Sequence, residues 1–248
     1  MYVSPAKQIY KCFSCGAGGD AFSFMMGYHK MTFPEALKHL AERAGIVIPE
    51  FQPAHNDSDH GDSTLDRTAL LQASNHACSF YQTVLRHREH GQSTRDYITH
   101  RHINSAMVDA FQLGYAPDRW DGLMLTITDK NWRLPAFEKL GLVSRRTTGD
   151  GYYDRFRNRL MFPICDSLGR VIAFGGRKLR EEDEPKYLNS PESTLFNKSA
   201  TLYGLHLAKK TIIQQRTAVV VEGYTDVIAC HQHGISVTST PFDHSVTL

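Results

Sequence analysis

The stretch Ala218-Val-Val-Val-Glu-Gly-Tyr-Thr-Asp-Val227 constrains the fold of this chain more than any other. Four apolar residues, three of them β-branched, run into a carboxylate and a glycine. A short continuous apolar run bounded by glycine reads as a buried strand, most often one in a parallel sheet. Glu222 then stands at the strand's C-terminal end, Gly223 makes the turn, and Thr225 and Asp226 open the next helix. Open parallel sheets bind ligands just outside the carboxyl ends of their strands, where a carboxylate is well placed to hold Mg²⁺ through oxygen. A Glu that merely caps a neighbouring helix is the plainer reading of the same residue.

Length and composition set the outer limits. The 248 residues make one large domain or two smaller ones, and 41% hydrophobic against 22% charged residues is enough for a sizeable core. A net charge of +2 names no partner, so the distribution of charge carries the information. Five cysteines, two of them in a C-x-x-C, fit a reducing compartment better than a disulfide framework, which points to the cytoplasm. No run of about 18 apolar residues exists and the N-terminus has no signal-peptide core, so no membrane span is expected. The absence of G-x-x-x-x-G-K-[ST] excludes a fused P-loop helicase, and no internal repeat is visible.

Near the N-terminus, Ile9 to Phe13 reads as a strand, with Cys12 and Cys15 flanking a tight turn backed by Gly16. Two thiolates at this spacing can face one tetrahedral Zn²⁺. A thioredoxin-type redox pair is the competing reading, but no βαβ pattern surrounds it. His29 and His39 lie on predicted helices and are not read as ligands. Asp20 caps a helix through about Tyr28 with Phe22, Phe24, Met25 and Met26 inward. Thr32-Phe-Pro-Glu35 reads as a capping box. The helix it opens carries Ala36, Leu37, Leu40, Ala41 and Ala44 on one face and stops at Gly45. Pro49 to Ser63 is polar and Pro/Gly-containing, a flexible linker.

From Leu65 to about Glu89 a 3.6-residue stripe appears: Leu70, Leu71, Ala73, Ala77, Phe80, Tyr81, Val84 and Leu85. Shorter helices are expected near Thr94–His100, Ser105–Gln112 and Pro135–Leu140, with Gly114 and Gly141 as stops. Arg155-Phe-Arg-Asn-Arg-Leu-Met-Phe-Pro-Ile164 and Arg170-Val-Ile-Ala-Phe174 then form a β-hairpin around Cys165-Asp-Ser-Leu-Gly169. Gly175-Gly176 lets backbone approach something closely. Between Arg155 and Arg180 stand seven basic residues and one acid, Asp166, which marks a polyanion surface or a solvated hairpin face. Phe162 and Phe174 are read as core. The block Pro185-Lys-Tyr-Leu-Asn-Ser-Pro-Glu192 to Leu205 is not periodic and reads as an extended functional loop.

These segments, in this order, resemble bacterial-type DNA primases over nearly the whole chain. Lys7 to Asp20 with Phe33-Pro-Glu-Ala-Leu37 and Leu40-Ala41 to Gly45-Ile46 is similar to the second half of that family's zinc-binding domain. Phe111-Gln-Leu-Gly-Tyr-Ala-Pro117, R-F-R-x-R, G-R-V-I-x-F-G-G-R and P-K-Y-L-N-S-P-E resemble its RNA-polymerase domain. Glu222-Gly-Tyr-Thr-Asp226 looks like the start of a toprim fold, shared by primases and topoisomerases.

The resemblance implies a mixed α+β and α/β architecture truncated at both ends. Residues 1–50 would be the C-terminal half of a zinc-binding domain (a zinc-ribbon remnant with helices) and 51–64 a linker. Residues 65–205 would be the N-terminal subdomain of the primase catalytic core with the basic hairpin, and 206–248 an incomplete toprim subdomain. It implies synthesis of short RNA primers on a single-stranded DNA template from ribonucleoside triphosphates, with a replicative helicase as partner. Cys12 and Cys15 would give half a Zn²⁺ site. Glu222 would hold Mg²⁺ or Mn²⁺, with Asp226 supporting it. Arg155, Arg157, Arg159, Arg177, Lys186, Tyr187 and Lys198 would guide template and primer.

Three departures stand out. Thr225 replaces a more usual Met, and Thr240-Pro-Phe-Asp-His244 lacks the family's Gly-containing turn. The chain also ends before the D-x-D acids of the metal site, so it is expected to be inactive alone. A non-catalytic single-stranded-DNA-binding remnant and a different toprim enzyme, a topoisomerase or nuclease, are the alternatives.

Overall fold

Apolar spacing, capping residues and three close glycine contacts set the observed architecture. A computed structural model describes residues 1–29, 31–46, 67–128, 130–147 and 149–239. The chain forms two units, Met1–Asp62 and Ser63–Leu248. The expected linker Pro49–Ser63 lies outside the described residues.

The first unit is a three-stranded antiparallel sheet of β1 (Tyr2–Ser4), β2 (Ile9–Lys11) and β3 (Gly18–Gly19), followed by α1 (Ala21–His29) and α2 (Phe33–Ala44). Asp20 accepts from the Ser23 N–H at 2.7 Å and so starts α1. The Thr32 N–H donates to the Glu35 carboxylate at 2.8 Å, and Gly45 closes α2 at φ +68°. One expectation needs correcting here: Met25 is buried but Met26 is 39% exposed. Consecutive helical residues sit about 100° apart, so the stripe can take one of the two. For the same reason α2 buries Ala36 and Ala41 while Leu37 and Ala44 face outward.

The second unit is built on α3 (Arg67–Arg86). Its buried residues Leu70, Ala73, Ala77, Tyr81 and Leu85 follow the expected stripe, with Leu71, Phe80 and Val84 partly buried beside them. Next come α4 (Gln92–His100), α5 (Ser105–Ala110), β4 (Gly114–Ala116), α6 (Lys130–Lys139), β5 (Val143–Arg145) and β6 (Tyr152–Asp154). The hairpin strands follow as β7 (Arg159–Cys165) and β8 (Val171–Lys178), then β9 (Tyr187–Asn189). The antiparallel sheet runs β4-β7-β8-β9 and packs on α3.

Three places differ from the sequence reading. Gly114 does not stop a helix; it opens β4, where a Cβ would stand 2.5 Å from the Tyr81 Cβ, so glycine is what lets the strand lie on α3. Helix α6 begins at Lys130, upstream of Pro135, which costs it one backbone hydrogen bond. The expected loop after Pro185 is partly the edge strand β9, paired to β8 through Arg177↔Tyr187.

The opening stretch gives α7 (Leu205–Gln215), β10 (Val220–Val221), α8 (Tyr224–Gln232) and β11 (Thr238–Ser239). β10 and β11 pair in parallel, as expected. The run Ala218–Val221 is not buried, however: Val219 is 43% and Val220 56% exposed. Among the described residues β10 has one neighbouring strand, and a two-stranded sheet leaves both faces largely open. Tyr224, Val227, Ile228 and Val237 join the core around the main sheet, so residues 206–239 share that core rather than forming a separate one. The departure at Thr240–His244 lies outside the described residues.

A buried acid ties down the loop after β4. Asp154 is 2% exposed, and its carboxylate accepts the Leu123 N–H at 2.6 Å and the Met124 N–H at 3.0 Å. Burial nevertheless pushes it up to about 6. The folded state therefore holds this proton more tightly than the unfolded chain, where an Asp titrates near 3.9. We expect the wild type to lose stability relative to Asp154→Asn as pH rises from about 4 to 6, and the difference to level off above that. Urea midpoints across that range measure it; a gain with rising pH would contradict the assignment.

Candidate nucleic-acid interface

The seven candidate residues of the basic segment divide into distinct roles. Arg159 is 5% exposed, and its guanidinium donates to the carbonyls of Gly176 (3.1 Å), Pro185 (2.8 Å) and Glu184 (3.2 Å). It ties β8 to the turn before β9 and does not form part of a solvated face. Arg155 is half-buried, and burial lowers its guanidinium below the ordinary arginine value. Its Nη1 would stand 2.7 Å from a Cβ placed on Gly141, so it packs on the turn after α6.

Arg157 and Arg177 are held on aromatic rings. The Arg157 guanidinium lies 3.9 Å from the centroid of Trp120 and 5.4 Å from that of Tyr153, and it donates to the Asp154 carbonyl. Arg177 donates to the Tyr187 hydroxyl at 2.9 Å and lies 5.4 Å from the Tyr97 ring centroid. Lys186 is exposed, and its carbonyl accepts the Lys178 N–H at 3.0 Å. Lys198 begins a short 3₁₀ turn, and its N–H donates to Glu192 at 2.9 Å. Phe156, Phe162 and Phe174 are all core, each at most 1% exposed.

Two features of this surface escaped sequence reasoning. Counting charge from Arg155 to Arg180 stops just short of Glu181-Glu-Asp-Glu184, four consecutive acids. That loop folds back on the basic residues. Asp183 accepts from Asn158 at 2.8 Å, and Glu184 pairs with Lys178 at 3.0 Å. The other feature is Trp120, 59% exposed and packed beside Tyr153 with ring centroids 5.6 Å apart. A tryptophan inside the polar run Pro117-Asp-Arg-Trp-Asp-Gly122 was the available signal.

The two candidate carboxylates, Glu222 and Asp226, lie in the turn after β10 and the first turn of α8, an element that packs on β8 through Tyr224. Tyr224, the first residue of α8, is stacked on Phe162 with centroids 5.0 Å apart, and its hydroxyl donates to Asn189 at 2.9 Å. The Gly175 expectation is explained here: a Cβ on it would stand 2.6 Å from the Tyr224 ring. Tyr187 touches both Tyr224 (5.9 Å between centroids) and Arg177, so the turn bearing Glu222 and the cation at Arg177 share one aromatic anchor. Glu222 is exposed at the end of β10. Asp226 accepts the Gly223 N–H at 3.2 Å and so caps α8.

In the first unit the Cys12 carbonyl accepts the Gly16 N–H at 2.9 Å, which makes the tight turn expected of the C-x-x-C. Hydrogen bonds from the Cys15 backbone and side chain lower the Cys12 thiol below its ordinary value, the direction a metal ligand needs. Two thiols supply half of a tetrahedral donor set, and Glu222 with Asp226 supply two acids. Among the described residues no group of three or more His, Cys, Asp or Glu is arranged to hold a metal. No helix of the described residues is long and apolar enough to cross a membrane.

Comparison with known proteins places these features in one family. The family model for the CHC2 zinc finger matches residues 1–56. The model for the N-terminal domain of the DNA primase catalytic core matches residues 80–209. The chain is 45% identical over 238 residues to a DNA primase of Synechocystis, covering 95% of this chain and 37% of that protein. It thus spans little more than a third of that curated relative.

Two solved structures are similar. One is a DnaG primase catalytic domain bound to single-stranded DNA, with TM-score 0.67 and 36% identity over 72% of this chain and 57% of that one. The other holds the zinc-binding and RNA polymerase domains of the Aquifex aeolicus primase, with TM-score 0.64 and 35% identity over 96% of this chain and 55% of that one. The topoisomerase or nuclease alternative has no support among these matches. The catalytic-core model alone takes in more than half of the sequence, and the chain belongs to the bacterial-type DNA primase family.

Proposed function

We propose that this chain acts in primer synthesis: it holds a single-stranded DNA template across β7–β9 and contributes to joining ribonucleotides into a short RNA primer. The observation that carries the reading is the Tyr224 anchor, which fixes the Glu222 turn and the Arg177–Tyr187 pair to one another. A strand lying over Arg177 would then run toward an acid suited to a hard divalent cation. The cations that would face the strand are Arg157, Arg177, Lys186 and Lys198, with Arg159 reserved for the fold. Glu222 is the residue that would hold Mg²⁺ or Mn²⁺, which would neutralise triphosphate charge, and Asp226 orients the turn. Cys12 and Cys15 would contribute two ligands to Zn²⁺. The replicative helicase and the cytoplasmic setting belong to the same reading.

A second reading, a single-strand-binding module without polymerisation, draws support from the lack of a third metal-binding group among the described residues. Ribonucleotide incorporation on a single-stranded template with Mg²⁺ or Mn²⁺ separates the two. Incorporation abolished by Glu222→Gln supports the enzyme. Strand binding with no incorporation supports the module.

Binding itself is tested by salt. Each phosphate contact on a single strand adds about −0.7 to the log–log salt slope. Arg157→Ala and Arg177→Ala should each flatten the slope by about that amount in oligonucleotide anisotropy titrations. Arg159→Ala should chiefly cost stability, about 1–3 kcal/mol for the loss of a buried guanidinium that ties three carbonyls, that of Gly176 wholly buried. An unchanged slope in both of the first two variants would move the interface elsewhere.

The acidic loop gives a prediction of opposite sign. Replacing Glu181, Glu182 and Glu184 by Gln should tighten strand binding by up to about five-fold per charge at low salt. The gain should fade as the screening length falls below about 10 Å. Weaker binding in that variant would show that the loop supports the interface and does not oppose it.

A further inference from the structure

We propose that the free edge of β10 pairs with the same edge of a second copy of this chain, antiparallel and centred on Val219, to form an isologous dimer; the inference is independent of the template-binding reading above. The edge is bare and apolar. Val219 and Val220 are 43% and 56% exposed, and among the described residues of the larger unit they are the only exposed large hydrophobics that are consecutive. The Val219 carbonyl accepts the Thr238 N–H at 3.1 Å, on the side of β11. Successive residues of an extended segment turn their backbone groups to opposite edges, so those of Ala218, Val220 and Glu222 face away from β11. Among the described residues no strand pairs with them there. Natural sheets often blunt such an edge with Lys or Pro, and the run from Thr217 to Val221 contains neither.

Charge identifies the occupant as another copy. Arg216 and Glu222 stand three residues to either side of Val219, both exposed, and neither side chain has an ion-pair partner among the described residues. An antiparallel pair centred on Val219 sets Ala218 against Val220 and Arg216 against Glu222, each twice over by the two-fold axis. These are the residues whose backbone groups face the free edge, so register, hydrogen bonding and charge agree. A parallel pairing in register would set Arg216 against Arg216 and Glu222 against Glu222. Arg216 closes α7 at φ +52°, so the ion pairs form at the rim, in water. A strand pair this short falls below the roughly 800 Å² per partner of a stable complex, so the association is weak and transient. Glu222 is also the candidate ligand for a divalent cation, and one carboxylate cannot serve both uses at once.

Sedimentation equilibrium of the whole chain tests this, in chelator-treated buffer at low salt. The parent's mass should rise with concentration toward twice the monomer's, with half-association at about 100 μM or below. Val220→Lys puts a charge on the exposed edge and should leave a monomer. Arg216→Glu and Glu222→Arg should each weaken self-association at least about four-fold, because two attractive cross-strand pairs become repulsive. An equimolar mixture of those two variants should regain the parent's association as a mixed pair, since each chain then meets its opposite charge at both ends. A parent that stays monomeric up to about 100 μM leaves the edge to some other strand and overturns the proposal. Equal association of parent and Arg216→Glu, or a mixture no stronger than its components, overturns the Arg216–Glu222 pairing and with it the second copy in this register. Neither result bears on strand binding, which is measured separately.

Discussion

A tyrosine ring seated on bare glycine backbone fixes the site in the larger unit. Tyr224 reaches from the start of α8 onto β8 at Gly175, between Phe162 and Tyr203, whose ring centroids lie 5.0 and 4.8 Å away. Truncating a buried aromatic of this size costs about 3–5 kcal/mol, a large share of the 5–15 kcal/mol that holds a typical domain together. The contact cannot tolerate a side chain at Gly175, and the Asn189 hydrogen bond sets the ring's direction. The Glu222–Gly223 turn is therefore positioned by packing and not by its own short strand. β10 has two residues and contributes only a few backbone hydrogen bonds.

The basic residues show how one charge can do three different jobs. Arg159, itself buried, satisfies three backbone carbonyls, Arg157 lies on tryptophan, and Arg177 is tied to a tyrosine hydroxyl. Stacked guanidiniums keep their charge while giving up conformational freedom in advance, so less is lost when a phosphate arrives. The acidic loop after β8 then takes back much of the local charge, with Glu184 on Lys178 and Arg180 drawn to Asp118. The surface is thus less basic than the linear segment from Arg155 to Arg180.

Much of this was legible in the sequence, and the failures share a cause. The amphipathic stripe of α3, the capping box at Thr32, the hairpin around Asp166 and the close approach at Gly175 each follow from local rules that tertiary packing did not overrule. The inward hydrogen bonds of Arg159 were not legible, because an arginine ahead of an apolar run looks the same whether it faces water or carbonyls. The run Ala218–Val221 has the composition of a buried strand, but burial depends on what lies on either side of it, and that is not a local property. Gly114 reads as a helix stop until Tyr81, 33 positions earlier in the sequence, is known to lie against it. Trp120 carried a local signal, an aromatic among Asp, Arg and Gly. Which face Arg157 would cover could come only from the fold.

The division between arginines held on aromatic rings and one withdrawn into the fold bears on how a template could move. A surface gripping many phosphates would bind tightly and release slowly, because each neutralised phosphate adds counterion-release free energy. Here Arg159 is withdrawn into the fold, and the loop of Glu181 to Glu184 opposes what remains. Under the primase reading, a strand held this way meets no base-edge contacts that must be broken as it advances by one nucleotide. Under that same reading, few phosphate contacts and no base-edge contacts would give weak, sequence-tolerant holding, which suits copying along a template.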